Sequence, residues 1–309
     1  MLRSQTAFRR FAWSLLGYTL LVILWGGFVR ASGSGAGCGD HWPLCNGDVI
    51  PRSPAVETMI EFSHRLTSGV AGVLSVVLVV WALMAFGRRS TVFRASLGVL
   101  FFMALEAAIG AGLVLFEYVA YNASIARAYW MATHLVNTFF LLAMIVLTAW
   151  TAGGGTMPRL RNQATHGWLV VASLIALLIL GASGAVTALG DTLATGGSID
   201  PSENPIVGTL VGLRLYHPIL ACAVFLVIVS TILAQNRHQI PKQATRFGRW
   251  LAILMVVQLI VGLANVQLHA PIWIQLVHLL LTDLIWISAI LYWAASTRRN
   301  TKPSLVSGT

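Results

Sequence analysis

The strongest constraint on this chain is a series of eight apolar runs, at 12–30, 59–86, 94–116, 127–151, 167–189, 208–234, 247–268 and 272–296. Crossing about 30 Å of hydrocarbon takes about 20 helical residues, and each run is near or above that length. In lipid every backbone N–H and C=O must be bonded within the spanning structure. A membrane strand would alternate apolar and polar residues, and these runs are continuous. The predicted fold is therefore an all-α integral membrane protein of eight transmembrane helices. Charged residues are 10% of the chain, where a soluble domain carries about 25%.

The first run follows Arg3, Arg9 and Arg10, like a signal peptide, but continues into a Gly-rich loop with no clear processing site. It reads as a retained helix with a basic inner flank. The net charge of +10 points to a membrane rather than to nucleic acid. Fifteen of the 20 Lys and Arg fall on one side of the eight-helix arrangement. They are Arg3, Arg9 and Arg10; Arg88, Arg89 and Arg94; Arg159 and Arg161; Arg237, Lys242, Arg246 and Arg249; and Arg298, Arg299 and Lys302. Arg30, Arg52, Arg65, Arg127 and Arg214 fall on the other side, and the five basic segments contain no Asp or Glu. The positive-inside rule puts both termini in the cytoplasm or an equivalent compartment. With no transit peptide in view, the expected location is a bacterial inner (cell) membrane, multi-pass.

On that orientation the even-numbered spans enter from the outer face. Each carries one histidine near its start: His64, His134, His217 and His278. They lie roughly 8–14 Å below the outer end, at about 1.5 Å per residue. The spans also repeat. THLVNTFFLL (133–142) pairs with VHLLLTDLIW (277–286), setting His134 on His278. ALEAAIGAGLV (104–114) pairs with VVQLIVGLANV (256–266), setting Glu106 on Gln258. GASGAVTALGD (181–191) echoes VRASGSGAGCGD (29–40). Four helices per copy is an even number, so the copies share one orientation about an axis along the membrane normal. The expected organisation is a four-helix bundle at 1–151, an inner linker at 152–166 and a second bundle at 167–309.

A single intramembrane histidine is as often a hydrogen-bonded packing residue as a ligand. Four at related positions favour imidazole ligation of haem iron, two per haem. Glu61 lies three residues before His64, on one helix face, where ionisable groups are costly and usually functional. Arg65 and Arg214 are candidates for haem propionates; snorkelling to lipid phosphate is the alternative. Cys38 and Cys45 enclose Gly-Asp-His-Trp-Pro-Leu in the first outer loop. A disulfide there would close a small loop worth about 2–3 kcal/mol. Metal binding with His41, or redox activity, are the rival roles. Cys222 reads as a small packing residue. His41, His269, His166 and His238 read as loop or solvated residues. Glu106 and Asp283 are further intramembrane acids.

Taken together, EFSHRLTSG, CGDHWPLCNGD and the later single histidines resemble the haem A synthase family over nearly the whole chain. The resemblance implies two pseudo-symmetric four-helix bundles and an oxidoreductase of haem A biosynthesis. Such an enzyme oxidises a ring methyl of haem O to a formyl group, through hydroxylated intermediates and loss of water. It further implies haem b between His217 and His278 as cofactor, and haem O as substrate near His64 and His134. Glu61 matches the family's essential carboxylate, and Cys38 with Cys45 its outer-loop pair. Residues 189–208 lack the second cysteine pair that some members carry. A haem O synthase is the implied partner beside membrane lipid, with no nucleic acid, and an oligomer is compatible with the sequence.

Two other classes compete. An electron-transfer cytochrome needs haems at both faces, and no second histidine follows about four turns below His64, where position 78 is Leu. A transporter with intramembrane histidines favours broken helices near the midplane, and the spans lack interior proline apart from Pro218, near a helix start.

Overall fold

The computed structural model describes residues 2–52, 54–158, 165–197, 199–237 and 240–297. Among them the chain is almost entirely helical: α1 (Leu2–Ala31), α2 (Val56–Phe86), α3 (Thr91–Leu115), α4 (Ile125–Ala152), α5 (Thr165–Asp191), α6 (Pro205–Gly212), α7 (Tyr216–Asn236), α8 (Lys242–Gln267) and α9 (Ile272–Ser296). A 3₁₀ turn (Ser34–Ala36) lies in the loop after α1, and a π turn (Thr192–Gly196) extends α5. Eight segments are long and apolar enough to cross a membrane, with α6 and α7 counting as one. The protein is thus an all-helical multi-pass membrane protein. Arg159, Arg161, His238, Arg298, Arg299 and Lys302, and the side chain of His166, lie outside what is described.

Helix starts follow local chemistry. The Ser90 side chain accepts from Phe93 N–H at α3, and the Ser124 side chain from Arg127 N–H at α4. Asn204 caps α6 through Ile206 and Val207 N–H, with Pro205 pre-set in the first turn. Each satisfies donors that the first turn leaves free.

The sixth run departs from the continuous span expected at 208–234. Pro218 has no N–H for the Arg214 carbonyl, and its ring crowds that carbonyl. The chain tightens instead, with Arg214 N–H bonded to Val211 O (3.1 Å), Leu215 N–H to Gly212 O (3.2 Å) and Tyr216 N–H to Leu213 O (3.1 Å). Helix resumes at Tyr216, so His217 is the second residue of α7. The Gly-rich strings also occupy different places. Residues 181–191 lie within α5, whereas 29–40 leave α1 for a loop.

Packing links α1 to α2, α2 to α3, α3 to α4 and α4 back to α1; α5 to α7, α7 to α8, α8 to α9 and α9 back to α5. Between the two sets, α4 packs on α5 and α9, and α1 on α9. That makes α4 the most enclosed span, 72% buried over its apolar window against 17–44% for the others. Trp286 Nε1 donates to Phe139 O across the α4–α9 seam (2.6 Å), and their rings stack with centroids 5.1 Å apart. Cys222 is exposed on α7 instead of packed inside.

Candidate functional site

The four histidines stand on α2, α4, α7 and α9, and all four rings are half-buried. His64 lies within electrostatic reach of His134, and His278 within reach of His217. Every ring rests against a glycine of the spanning helix before its own. A Cβ added at Gly26 would stand 2.8 Å from His64 Cε1, at Gly184 3.0 Å from His217 Cε1, at Gly262 3.2 Å from His278 Cε1 and at Gly110 4.0 Å from His134 Cε1. Gly110 and Gly262 each follow their half's Glu106 or Gln258 by one turn, so the sequence repeat and the packing agree in register there.

Nδ1 of His64, His134 and His278 is buried without a hydrogen bond, while His217 Nδ1 has Ser183 Oγ at 2.8 Å. Among the described residues no three His, Cys, Asp or Glu side chains converge as a metal cage. Two imidazoles per half, each ring lying against a glycine, with Nδ1 of three of them buried and free to carry the proton and Nε2 left for a metal, match the axial donor set of a six-coordinate iron porphyrin. The residues present therefore fit haem.

Glu61 is 4% exposed. It accepts from Cys38 N–H (2.8 Å) and is paired with Arg65 one turn on. Arg65 donates through Nη1 to His41 O (2.6 Å) and Leu44 O (2.7 Å), and through Nε to Glu61 Oε1 (3.1 Å). Cys38 and Cys45 form a disulfide, which excludes the metal reading with His41. The bridged loop is thus fastened to α2 through one carboxylate and one guanidinium. Thr58 Oγ1 adds a bond to Gly37 O (2.7 Å). Glu61 makes no bond to His64, so it does not set that ring's tautomer. Arg65, a propionate candidate from sequence, already uses four of its five N–H groups on Glu61 and the loop.

The two repeat-related polar clusters differ. On α3, Glu106 Oε1 lies 3.3 Å from His134 Nδ1, at ion-pair distance though not in hydrogen-bond alignment. Asn137 Nδ2 and Thr138 Oγ1 also bond the Glu106 carboxylate. On α8, Gln258 Nε2 donates to Thr282 Oγ1 (2.7 Å) and His278 O (3.1 Å). Asp283 is fully buried on α9, with neither carboxyl oxygen hydrogen-bonded.

Arg214 pairs with Asp191. Sequence reasoning missed two arginines beside them. Arg30 reaches from α1 to Ala188 O (2.8 Å), Thr192 Oγ1 (2.7 Å) and Gln275 Oε1 (2.9 Å), tying the first four spans to the last four. Arg127 is 2% exposed, donates to Ala120 O (2.6 Å) and Asn122 O (3.0 Å), and lies within electrostatic reach of Arg30. The available signal was an arginine at the very end of an apolar run, where snorkelling was the default reading.

Comparison with known proteins gives the following. A family model described as cytochrome oxidase assembly protein, COX15-CtaA, matches residues 9–290. A Protoheme IX farnesyltransferase of Thermus thermophilus is 47% identical over 300 residues, which is 94% of this chain but 49% of the relative. The chain thus spans about half the length of that protein. The Heme A synthase of Alkalihalophilus pseudofirmus is 29% identical over 287 residues, 88% of this chain and 91% of its own length. That of Halalkalibacterium halodurans is 28% identical over 277 residues, at 86% and 89%.

Proposed function

The chain belongs to the COX15-CtaA family of cytochrome oxidase assembly proteins, and on that premise we propose that it is a haem A synthase acting on haem O. It oxidises one ring methyl to a formyl group through hydroxylated forms, the last of which loses water. The farnesyl-transfer name of the Thermus relative belongs, on this reading, to the half that this chain does not match. This chain matches proteins named Heme A synthase over most of both lengths. An enzyme that makes haem O is the natural partner, since it supplies the substrate.

His64 and His134 seat the substrate's iron in the bundle formed by residues 1–151. His217 and His278 hold haem b in the bundle at 167–309, with 152–166 as the cytoplasmic linker. Bound there, haem b supplies the one-electron iron chemistry that no side chain offers. The observation that carries the assignment is the asymmetry between the pairs. Glu61, 4% exposed, stands one turn from His64 under a disulfide-closed loop, and Glu106 faces His134, whereas the groups against His217 and His278 are Ser183 and Gln258. Oxidising a methyl group releases protons, and Glu61 is placed to take them in a site that the loop screens from water. Both termini face the cytoplasm of a bacterial cell and the haem sites face outward, in keeping with the distribution of Lys and Arg.

All four ligand candidates lie one to nine residues past the first residue of their helices. That clustering suits two neighbouring sites in one leaflet, and not a chain of haems crossing the bilayer. Replacing Glu61 with Gln and extracting the pigments tests the reading. Haem O should accumulate and haem A fall about 10²- to 10⁴-fold, the usual weight of a positioned proton acceptor. Undiminished haem A would overturn it.

A further inference from the structure

The acid on α3 has no counterpart in the second half. Glu106 occupies the place that Gln258 holds on α8, and each faces the fourth-span histidine of its own half. The supporting residues correspond as well. Thr138 and Thr282 both lie one turn past the histidine with Oγ1 within hydrogen-bond distance of its carbonyl oxygen, at 2.9 and 2.8 Å; the single Thr138 hydroxyl proton is shared between that carbonyl and Glu106. The two side chains have the same length and differ in the end group. A glutamine can donate, and Gln258 spends its amide N–H groups on Thr282 and the His278 carbonyl, leaving Oε1 and His278 Nδ1 both unbonded. A carboxylate can only accept. Glu106 gathers Asn137, Thr138 and the ring edge of His134 around it.

We infer that Glu106 is a positioning residue for His134: its carboxylate, 3.3 Å from Nδ1, is the acceptor toward which Nδ1–H donates, which fixes the tautomer that offers Nε2 to iron and makes this imidazole the stronger electron donor of the two halves' α4 and α9 ligands. Carboxylate–histidine–metal arrangements act in this way on ring orientation and ligand basicity. The consequence is a first-half iron biased toward the ferric state relative to the second-half iron. The inference rests on the reading of His134 as an iron ligand.

A structural role alone, tying α3 to α4, predicts something different. The second half shows that a glutamine at this place suffices to join its helices, so Glu106→Gln should fold and keep a six-coordinate haem. The test is a redox titration of the full-length chain loaded in both halves with iron protoporphyrin IX, following the two Soret components. Glu106→Gln should lower the ferric-to-ferrous ratio of the first-half haem about tenfold at fixed potential, an upward shift of about 59 mV for one electron. Gln258→Glu should move the second-half haem the opposite way. Unchanged midpoints in both variants would overturn the inference. If Glu106→Gln sheds the haem, retention with the native midpoint in Glu106→Asp supports it, and loss of that haem in Glu106→Asp as well overturns it. The underlying reading is tested separately. If His134→Ala leaves the haem content and the first-half midpoint untouched, His134 is not a ligand, whatever Glu106 does.

Discussion

His64 and His134 have two carboxyl groups near them, Glu61 and Glu106, and a disulfide-closed loop fastened beside them. His217 and His278 have a serine hydroxyl and a glutamine amide. The helices that hold the two pairs correspond, and so do the glycines against the rings. The backbone runs alike in the two sets apart from the break before α7, while the groups beside the rings differ. Acids placed in lipid are expensive, so a half that keeps two of them near its histidines has a use for proton or electron bias there. The second half keeps its acids, Asp283 and the Arg214-paired Asp191, off the histidine rings, where Ser183 and Gln258 stand instead.

The largest expected effect that could break this comparison comes from the histidines themselves. His278→Ala should strip haem from the second half completely and leave the first half able to bind, while His134→Ala should do the reverse. Quantitative pigment extraction and the low-spin spectrum read both, and loss of both haems from either variant would show that the halves are not separate binding units. Next in size is the bridged loop. Cys38→Ser removes a closure worth about 2–3 kcal/mol and leaves the backbone N–H of residue 38 to hold Glu61 from an unclosed loop. Haem A yield should drop while haem b in the second half stays, and the lost stability should appear as a lower thermal midpoint for release of the first-half haem only. The smallest and sharpest effect is a graded series at the glycines. Alanine should perturb most at Gly26, then Gly184, then Gly262, and least at Gly110, following Cβ clearances of 2.8, 3.0, 3.2 and 4.0 Å. The first should cost about 1–3 kcal/mol as overpacking, and the last should be near neutral. Haem affinity across the four variants measures the order, and a flat series would mean that the rings shift freely.

Much of this was legible in the sequence because it depends on one residue at a time. Apolar length determines the spans, and a histidine in lipid is conspicuous whatever its neighbours. What was not legible depends on contacts between distant segments. Glu61 stands three residues before His64 on one helix face, and nothing in that spacing shows that its partners are Cys38 N–H and Arg65. Arg30 and Arg127 counted only as outer-side charges, since nothing local shows that Ala188, Thr192 and Gln275 wait for the first and the Ala120 and Asn122 carbonyls for the second. Pro218 was visible, but whether it would open a helix or interrupt one depended on how far the helix extended upstream. Glu106 stood out as an acid, and its acceptor role came into view only with His134, Asn137 and Thr138 around it.

The reach of Arg30 from α1 into α5 and α9 bears on how the duplicated plan can be taken apart. A chain severed within 152–166 has lost no span, and its pieces made together can rejoin. Made alone, the first piece would present a guanidinium to lipid with three of its acceptors missing. The first four spans are not a free-standing cassette, because Arg30 finds these acceptors only in the last four.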